Sequence, residues 1–220
     1  MAIHIDEQYG PVKVDPRASI ENTAVLIGPC YIEKHAYIGH CAVIGSAPQY
    51  EGYYPYPKKG KIANAGVMIG KHAVIREHCQ VQQGILAPTI VAANALVMAG
   101  SHVSHDSVVG RWSVIGTNTI LGGHTAIAKS VTFGQAVVTH PWVIIGAHAM
   151  IGLNSSVIRD VLPFQKVAGS PAKLIGKNTG AGGDKEEWLE STVLPNYLDE
   201  YDAMLRQRDE EREMMKELKL

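Results

Sequence analysis

Residues 91–168, cut into sixes from Val91, read VAANAL, VMAGSH, VSHDSV, VGRWSV, IGTNTI, LGGHTA, IAKSVT, FGQAVV, THPWVI, IGAHAM, IGLNSS, VIRDVL and PFQKVA. The first residue is Val, Ile, Leu or Phe in all but two hexads, and the fifth is always small or β-branched. A period of six suits neither an amphipathic helix nor an ordinary alternating strand. A short fixed period marks a repeat architecture whose units stack. Six residues suffice only for a brief strand and a corner. Three hexads therefore close one three-sided coil, and coils stack at the parallel-strand spacing of about 4.8 Å. First and fifth side chains fill the column; positions two, three and six face out or stand at corners.

The frame extends backwards. VDPRAS, IENTAV, LIGPCY, IEKHAY and IGHCAV run in register from Val14 to Val43, then residues 46–66 interrupt with four Tyr, three Pro and a Lys-Lys pair. A long aperiodic insertion in a compact domain is functional or disordered, and this one reads as an excursion loop reaching over a neighbouring surface. IGKHAV, IREHCQ and VQQGIL resume the pattern, and a short irregular piece, Ala87 to Ile90, leads into the long run. Pro163 and AGSPAKLIG close the column. Residues 1–176 thus form one repeat domain and the Gly-rich 177–184 a joint. Residues 185–220 form a helical segment with Leu194, Leu198, Tyr201 and Leu205 at helical spacing. Pro195 separates a short helix from a longer amphipathic one, whose apolar face packs on the column or on a neighbouring subunit; a free coiled-coil tail is the alternative.

The formal net charge of -1 (20 basic, 21 acidic residues) offers no field for nucleic acid or membrane. The first ten residues are polar and no segment approaches a membrane span, so the expected location is the cytoplasm. Three cysteines do not make a disulfide framework. Cys30 and Cys79 occupy the inward fifth position as small core fillers, and Cys41 points outward.

With the interior packed, chemistry belongs on the outside, where the histidines are informative. Residues eighteen apart lie one above another, so Asp106 falls beneath His124, with Trp142 a coil above. His105 shares a column with Gly123 and Pro141. His102 falls at the corner before the strand carrying His105. Three imidazoles, a carboxylate and a Gly-Gly backbone converge on one edge. Such a set suits attack of a hydroxyl or amine on a thioester. An imidazole takes the acceptor's proton near neutral pH, an aspartate fixes its tautomer, and a glycine amide donates to the oxyanion. No Ser or Cys is placed as a nucleophile, so direct transfer is expected.

At these residues the chain resembles the acyl-carrier-protein–dependent UDP-N-acetylglucosamine O-acyltransferases of lipid A biosynthesis. The likeness is carried by IREHCQVQQG (75–84), MAGSHVSHDSVVG (98–110), NTILGGH (118–124) and VVTHPWVIIGAHAMIG (137–152). It implies a left-handed parallel β-helix of hexapeptide repeats, His105 as base, Asp106 as its partner and Gly123 as oxyanion donor. It also implies substrate binding by His102, His124, His140, Arg76 and Gln83. The His-Asp pair is similar to that of bacterial nucleotide-sugar N-acetyltransferases. The family's Gln beside His140 is here Pro141. Leu153 falls where a small residue admits a long acyl chain, which implies a short or medium one. VAGSPAKLIG resembles the closing coil of acetyl-CoA-dependent enzymes, and the last 40 residues do not match the family's uridine-binding helices. The expectation is a homotrimer that needs no metal and no cofactor beyond an acyl-carrier-protein or CoA thioester. Its acceptor is a sugar, nucleotide-linked by analogy. Two other readings stay open: a γ-type carbonic anhydrase-like zinc protein, whose only His-x4-His pair would be His35/His40, and an inactive scaffold.

Overall fold

The computed structural model describes residues 4–7, 9–49, 65–179 and 194–217. Inward apolar side chains at positions one and five build the interior: Leu26, Ile32, Ile38, Ile44, Ile69, Ile75, Ile115, Leu121 and Ile127 are all fully buried. Each such side chain contributes roughly 1.5–3 kcal/mol on leaving water. Among the described residues twenty-four short strands stack into three sheets that form the faces of a left-handed β-helix. The first face has 8 strands and includes β10 (Gln80–Gln82), β13 (His102–Val103), β16 (Ile120–Leu121), β19 (Val138–Thr139) and β22 (Ser156–Val157). The second has 7 and includes β14 (Val108–Val109), β17 (Ala126–Ile127) and β20 (Ile144–Ile145). The third ends on β21 (Met150–Ile151), β23 (Gln165–Ala168) and β24 (Lys173–Lys177).

The fourth position of the hexad stands at the corners in a left-handed conformation. Asn94, Asp106, Trp112, Asn118, His124, Ala136, Trp142, His148 and Asn154 all have φ between 54° and 69°. That region is costly for most L-residues and mildest for Asn and Asp. Hydroxyls at the inward fifth position are tolerated because they find partners nearby, most often a carbonyl of the next coil. Ser101 Oγ donates to Gly116 O at 2.9 Å and Ser113 Oγ to Ala128 O at 2.9 Å, so neither buried hydroxyl is left unpaired.

Beyond the 46–66 insertion the frame departs from eighteen twice. Ile75 pairs with Val97 and Val81 with Val103, so one coil carries four extra residues, supplied around residues 83–88. The second departure corrects the frame read from sequence. Val161, not Pro163, takes the inward position over Ile145, and Val167 pairs with Ile151. The last coil is two residues short. Asp160 compensates, because its Oδ1 accepts the Ile144 N–H at 2.8 Å. β23 and β24 then close the end as an antiparallel hairpin.

Helix α1 spans Leu194–Glu217 with Pro195 in its first turn, where a missing N–H costs nothing. Most of the insertion (residues 50–64) and the expected shorter helix before Leu194 lie outside the described residues. Helix α1 lies across the second face of its own chain. Tyr201 and Met215 are buried, Lys129 meets Glu200 at 3.1 Å, and Arg208 meets Asp160 at 2.6 Å. Its covered face carries Arg208 and Glu211 between Tyr201 and Met215, where it crosses the edge between the first and second faces. No helix among the described residues is long and apolar enough to cross a membrane.

Candidate active site

The edge between the first and second faces carries the cluster. His105 and Asp106 occupy the corner between β13 and β14, His124 the corner above, and Trp142 the next. The eighteen-residue stack forecasts this column, and the rings obey it. His124 lies flat on Trp142 (centroids 3.7 Å apart, 2° between planes) and edge-on to His105 (5.1 Å, 88°). The side chains of His105, Asp106 and His124 are 11%, 1% and 3% exposed, so the group is nearly dry.

Asp106 is bound on every side. Its Oδ2 lies 2.8 Å from His105 Nδ1. The amides of Ile85, Leu86 and Ala87 donate to Oδ1 at 3.0, 2.7 and 2.9 Å. The four-residue irregularity in the frame therefore has a purpose: it turns three successive N–H groups onto one carboxylate. Burial pushes the Asp106 carboxyl up. The bond from His105, the amides of Ala87 and Ile85, and nearby His124 outweigh it, holding the group below the usual 3.8. An ionised Asp106 accepts the Nδ1–H of His105 and leaves Nε2 with the lone pair a general base needs.

Gly123 is the other wall. A Cβ there would stand 2.7 Å from Cε1 and Nε2 of His105, so only glycine lets the imidazole approach the backbone at this corner.

His102 opens strand β13 on the first face, a correction to its expected corner position. Its Nδ1 is 2.9 Å from Gln80 Oε1, and Gln80 Nε2 donates to Ser46 Oγ at 2.9 Å. That chain gives His102 an Nδ1–H and turns Nε2 outward as an acceptor. Burial, then the nearby His105, hold His102 below the usual histidine value, so it is neutral at pH 7. His140 is exposed two coils above it, its Nδ1 3.0 Å from the Pro141 carbonyl. Gln83 is committed inside: its Nε2 donates to Gly28 O at 2.7 Å. Its neighbour Gln82, overlooked in the sequence, accepts the His105 N–H at 3.2 Å. Arg76 pairs with Glu77 at 2.9 Å, and Leu153 is 74% exposed. Both stand at the edge between the third and first faces, away from His105 in the same chain.

His105, Asp106 and His124 offer ligand atoms within 4.8 Å of one another. The Asp106 oxygens, however, are already aimed at three amides and His105, which suits an orienting carboxylate better than a metal ligand. The His35/His40 pair splits between two edges: His35 stacks on His72, and His40 bonds Thr23.

No protein-family model and no curated sequence matches the chain. Among solved structures it is similar to LpxA, a UDP-N-acetylglucosamine acyltransferase from Bacteroides fragilis, at 23% identity and TM-score 0.72, covering 96% of this chain and 86% of that one. UDP-N-acetylglucosamine O-acyltransferase from Moraxella catarrhalis superposes at 22% identity and TM-score 0.65, covering 100% and 97%. The UDP-N-acetylglucosamine acyltransferase of Francisella novicida does so at 24% and 0.62, covering 93% and 86%. At these identities the likeness establishes the fold.

Proposed function

We propose that the chain is an acyltransferase that moves a short or medium acyl group from a thioester to a hydroxyl or amine of a sugar. The observation that carries this reading is the buried His105–Asp106 pair at 2.8 Å, set beside a glycine corner. The acceptor's proton passes to His105 Nε2 as its oxygen or nitrogen attacks the thioester carbonyl. The oxyanion so formed takes a hydrogen bond from the Gly123 amide. The C–S bond then breaks, and the leaving thiolate recovers the proton from the imidazolium. The neutral His102, with Nε2 outward, accepts a hydrogen bond from a sugar hydroxyl; His124 and His140 line the same edge.

The three acyltransferases named above make a nucleotide-linked sugar the first acceptor to try, and acyl-carrier-protein or CoA the donor. A trimer is part of the reading. Tyr31 and Met68 on the second face, and Ile120 and Val138 on the first, leave apolar surface for another copy to cover. Arg76 and Leu153 would meet His105 only from a neighbouring chain. The test follows consumption of acetyl-CoA and of acyl-carrier-protein thioesters against a panel of UDP- and dTDP-sugars. Wild-type turnover that disappears in His105→Ala supports the reading; equal turnover in both proteins ends it.

A further inference from the structure

Helix α1 sends one carboxylate into the cluster. Glu211 Oε2 is 3.5 Å from His124 Nδ1, and on the ring's other side Asp106 Oδ2 is 3.9 Å from Nε2. Neither ring nitrogen makes a hydrogen bond, although the side chain is only 3% exposed. The ring is instead held between the stack on Trp142, the edge of His105 and the two flanking acids. The same helix grips that stack twice more. Arg212 lies 5.3 Å from the centre of the Trp142 ring, and Arg208 Nη1 donates to the Trp142 carbonyl at 3.4 Å while pairing with Asp160. Gln207 Nε2 donates to the other oxygen of Glu211 at 2.9 Å, aiming the carboxylate at the ring. These groups close one end of a cleft of about 470 Å³ between helix α1 and the second face, with Val108, Ala126 and Met204 on its walls.

We infer that Glu211 is a positioning residue of the active site. It holds His124, whose ring abuts the ring of His105, and so fixes the plane in which His105 presents Nε2. Helix α1 is then a working part of the catalytic edge rather than a cover for an apolar stripe. The inference rests on the transfer reading only in naming His105 as the base. The contact itself is tested separately.

The experiment compares Glu211→Gln with two controls on the same helix. Glu200→Gln breaks the Lys129 ion pair at the far end, and Glu213→Gln removes only an exposed partner of Lys216. With Trp112 and Trp188 replaced by Phe, Trp142 is the remaining indole, and its fluorescence lifetime reports the stack on His124. Glu211→Gln should change that lifetime and lower kcat roughly 10–100-fold, as a misplaced catalytic group does, with KM for donor and acceptor within about twofold. Both controls should leave lifetime and kcat at the starting values. If Glu200→Gln reproduces the loss, helix docking and not the Glu211 contact is responsible, and the inference is overturned. An unchanged lifetime in Glu211→Gln overturns it as well. If the starting protein transfers no acyl group, the functional reading fails, while the lifetime still decides whether Glu211 holds His124.

Discussion

Gly123 yields its side-chain space to His105: a Cβ on the glycine would overlap both Cε1 and Nε2 of the imidazole at 2.7 Å. Contacts that short force one partner to move, and His105, tied at Nδ1 to Asp106, has little room. Gly123→Ala should therefore displace the base while leaving the backbone of the corner unstrained. Thioester consumption is expected to fall at least about 100-fold, with the melting temperature within a few degrees of wild type. Wild-type turnover in this variant would mean that Nε2 does not work at the Gly123 corner.

Asp106 links the site to acid stability. Its carboxyl is held below 3.8 in the folded chain, so the folded state binds that proton less readily than the unfolded one. The stabilisation is fully present above the unfolded carboxyl value and is lost as pH falls through the depressed folded value. Asp106→Asn keeps the shape but loses the charge that four donors point at. It should destabilise the protein by about 1–3 kcal/mol at pH 7, and the gap to wild type should narrow as pH drops below about 4. Thermal unfolding between pH 3 and pH 7 measures this. A gap independent of pH would show that the charge of Asp106 contributes no stability.

The frame was legible because the inward positions admit few side chains. Every third corner lies in one column, so a period of six is enough to place Asp106, His124 and Trp142 together. What escaped the sequence reading depends on backbone direction or distant packing. Ile85, Leu86 and Ala87 bind Asp106 through amides that any residue other than proline could supply, so their identities carry no signal. The two-residue shortening before Val161 hides behind VIRDVL, which fits the hexad template as well as its neighbours do. Gln82 and Gln83 are identical in type, so the sequence does not say which one meets His105. Glu211 sits on a helix whose pattern reveals an inward face but not what it faces. Its position among Tyr201, Arg208 and Met215 was the available clue, since a charge on a covered face needs a partner.

The Arg208–Asp160 pair is the firmest polar tie between helix α1 and the column, 2.6 Å long and largely covered. Arg208→Ala should loosen the helix without disturbing the coils, which hold themselves by ladders and buried Ile, Leu and Val. Limited proteolysis should cut within 194–217 about tenfold faster, equivalent to roughly 1.4 kcal/mol of lost docking. The melting transition of the β-helix should stay in place. Equal cleavage rates would mean that the Arg208–Asp160 pair does not hold the helix down.

Ala136 marks a corner where the sequence is not at its stability optimum. Its φ of 55° lies in the left-handed region, which costs a residue with a Cβ roughly 1–2 kcal/mol. Three other corners, at residues 94, 118 and 154, use Asn, whose short amide tolerates that conformation. Ala136 is exposed and only its amide is engaged, donating to Thr117 O at 2.8 Å, so a new side chain meets solvent. Ala136→Asn should raise unfolding stability by about 0.5–1 kcal/mol. Ala136→Gly should gain less, because glycine's freedom in the unfolded chain offsets roughly 0.5–1 kcal/mol of the relief. Ala136→Val, β-branched at a left-handed position, should lose stability. Denaturant midpoints of the four proteins give the order directly, and a valine variant as stable as the asparagine one would show that corner conformation does not limit the stability of this column.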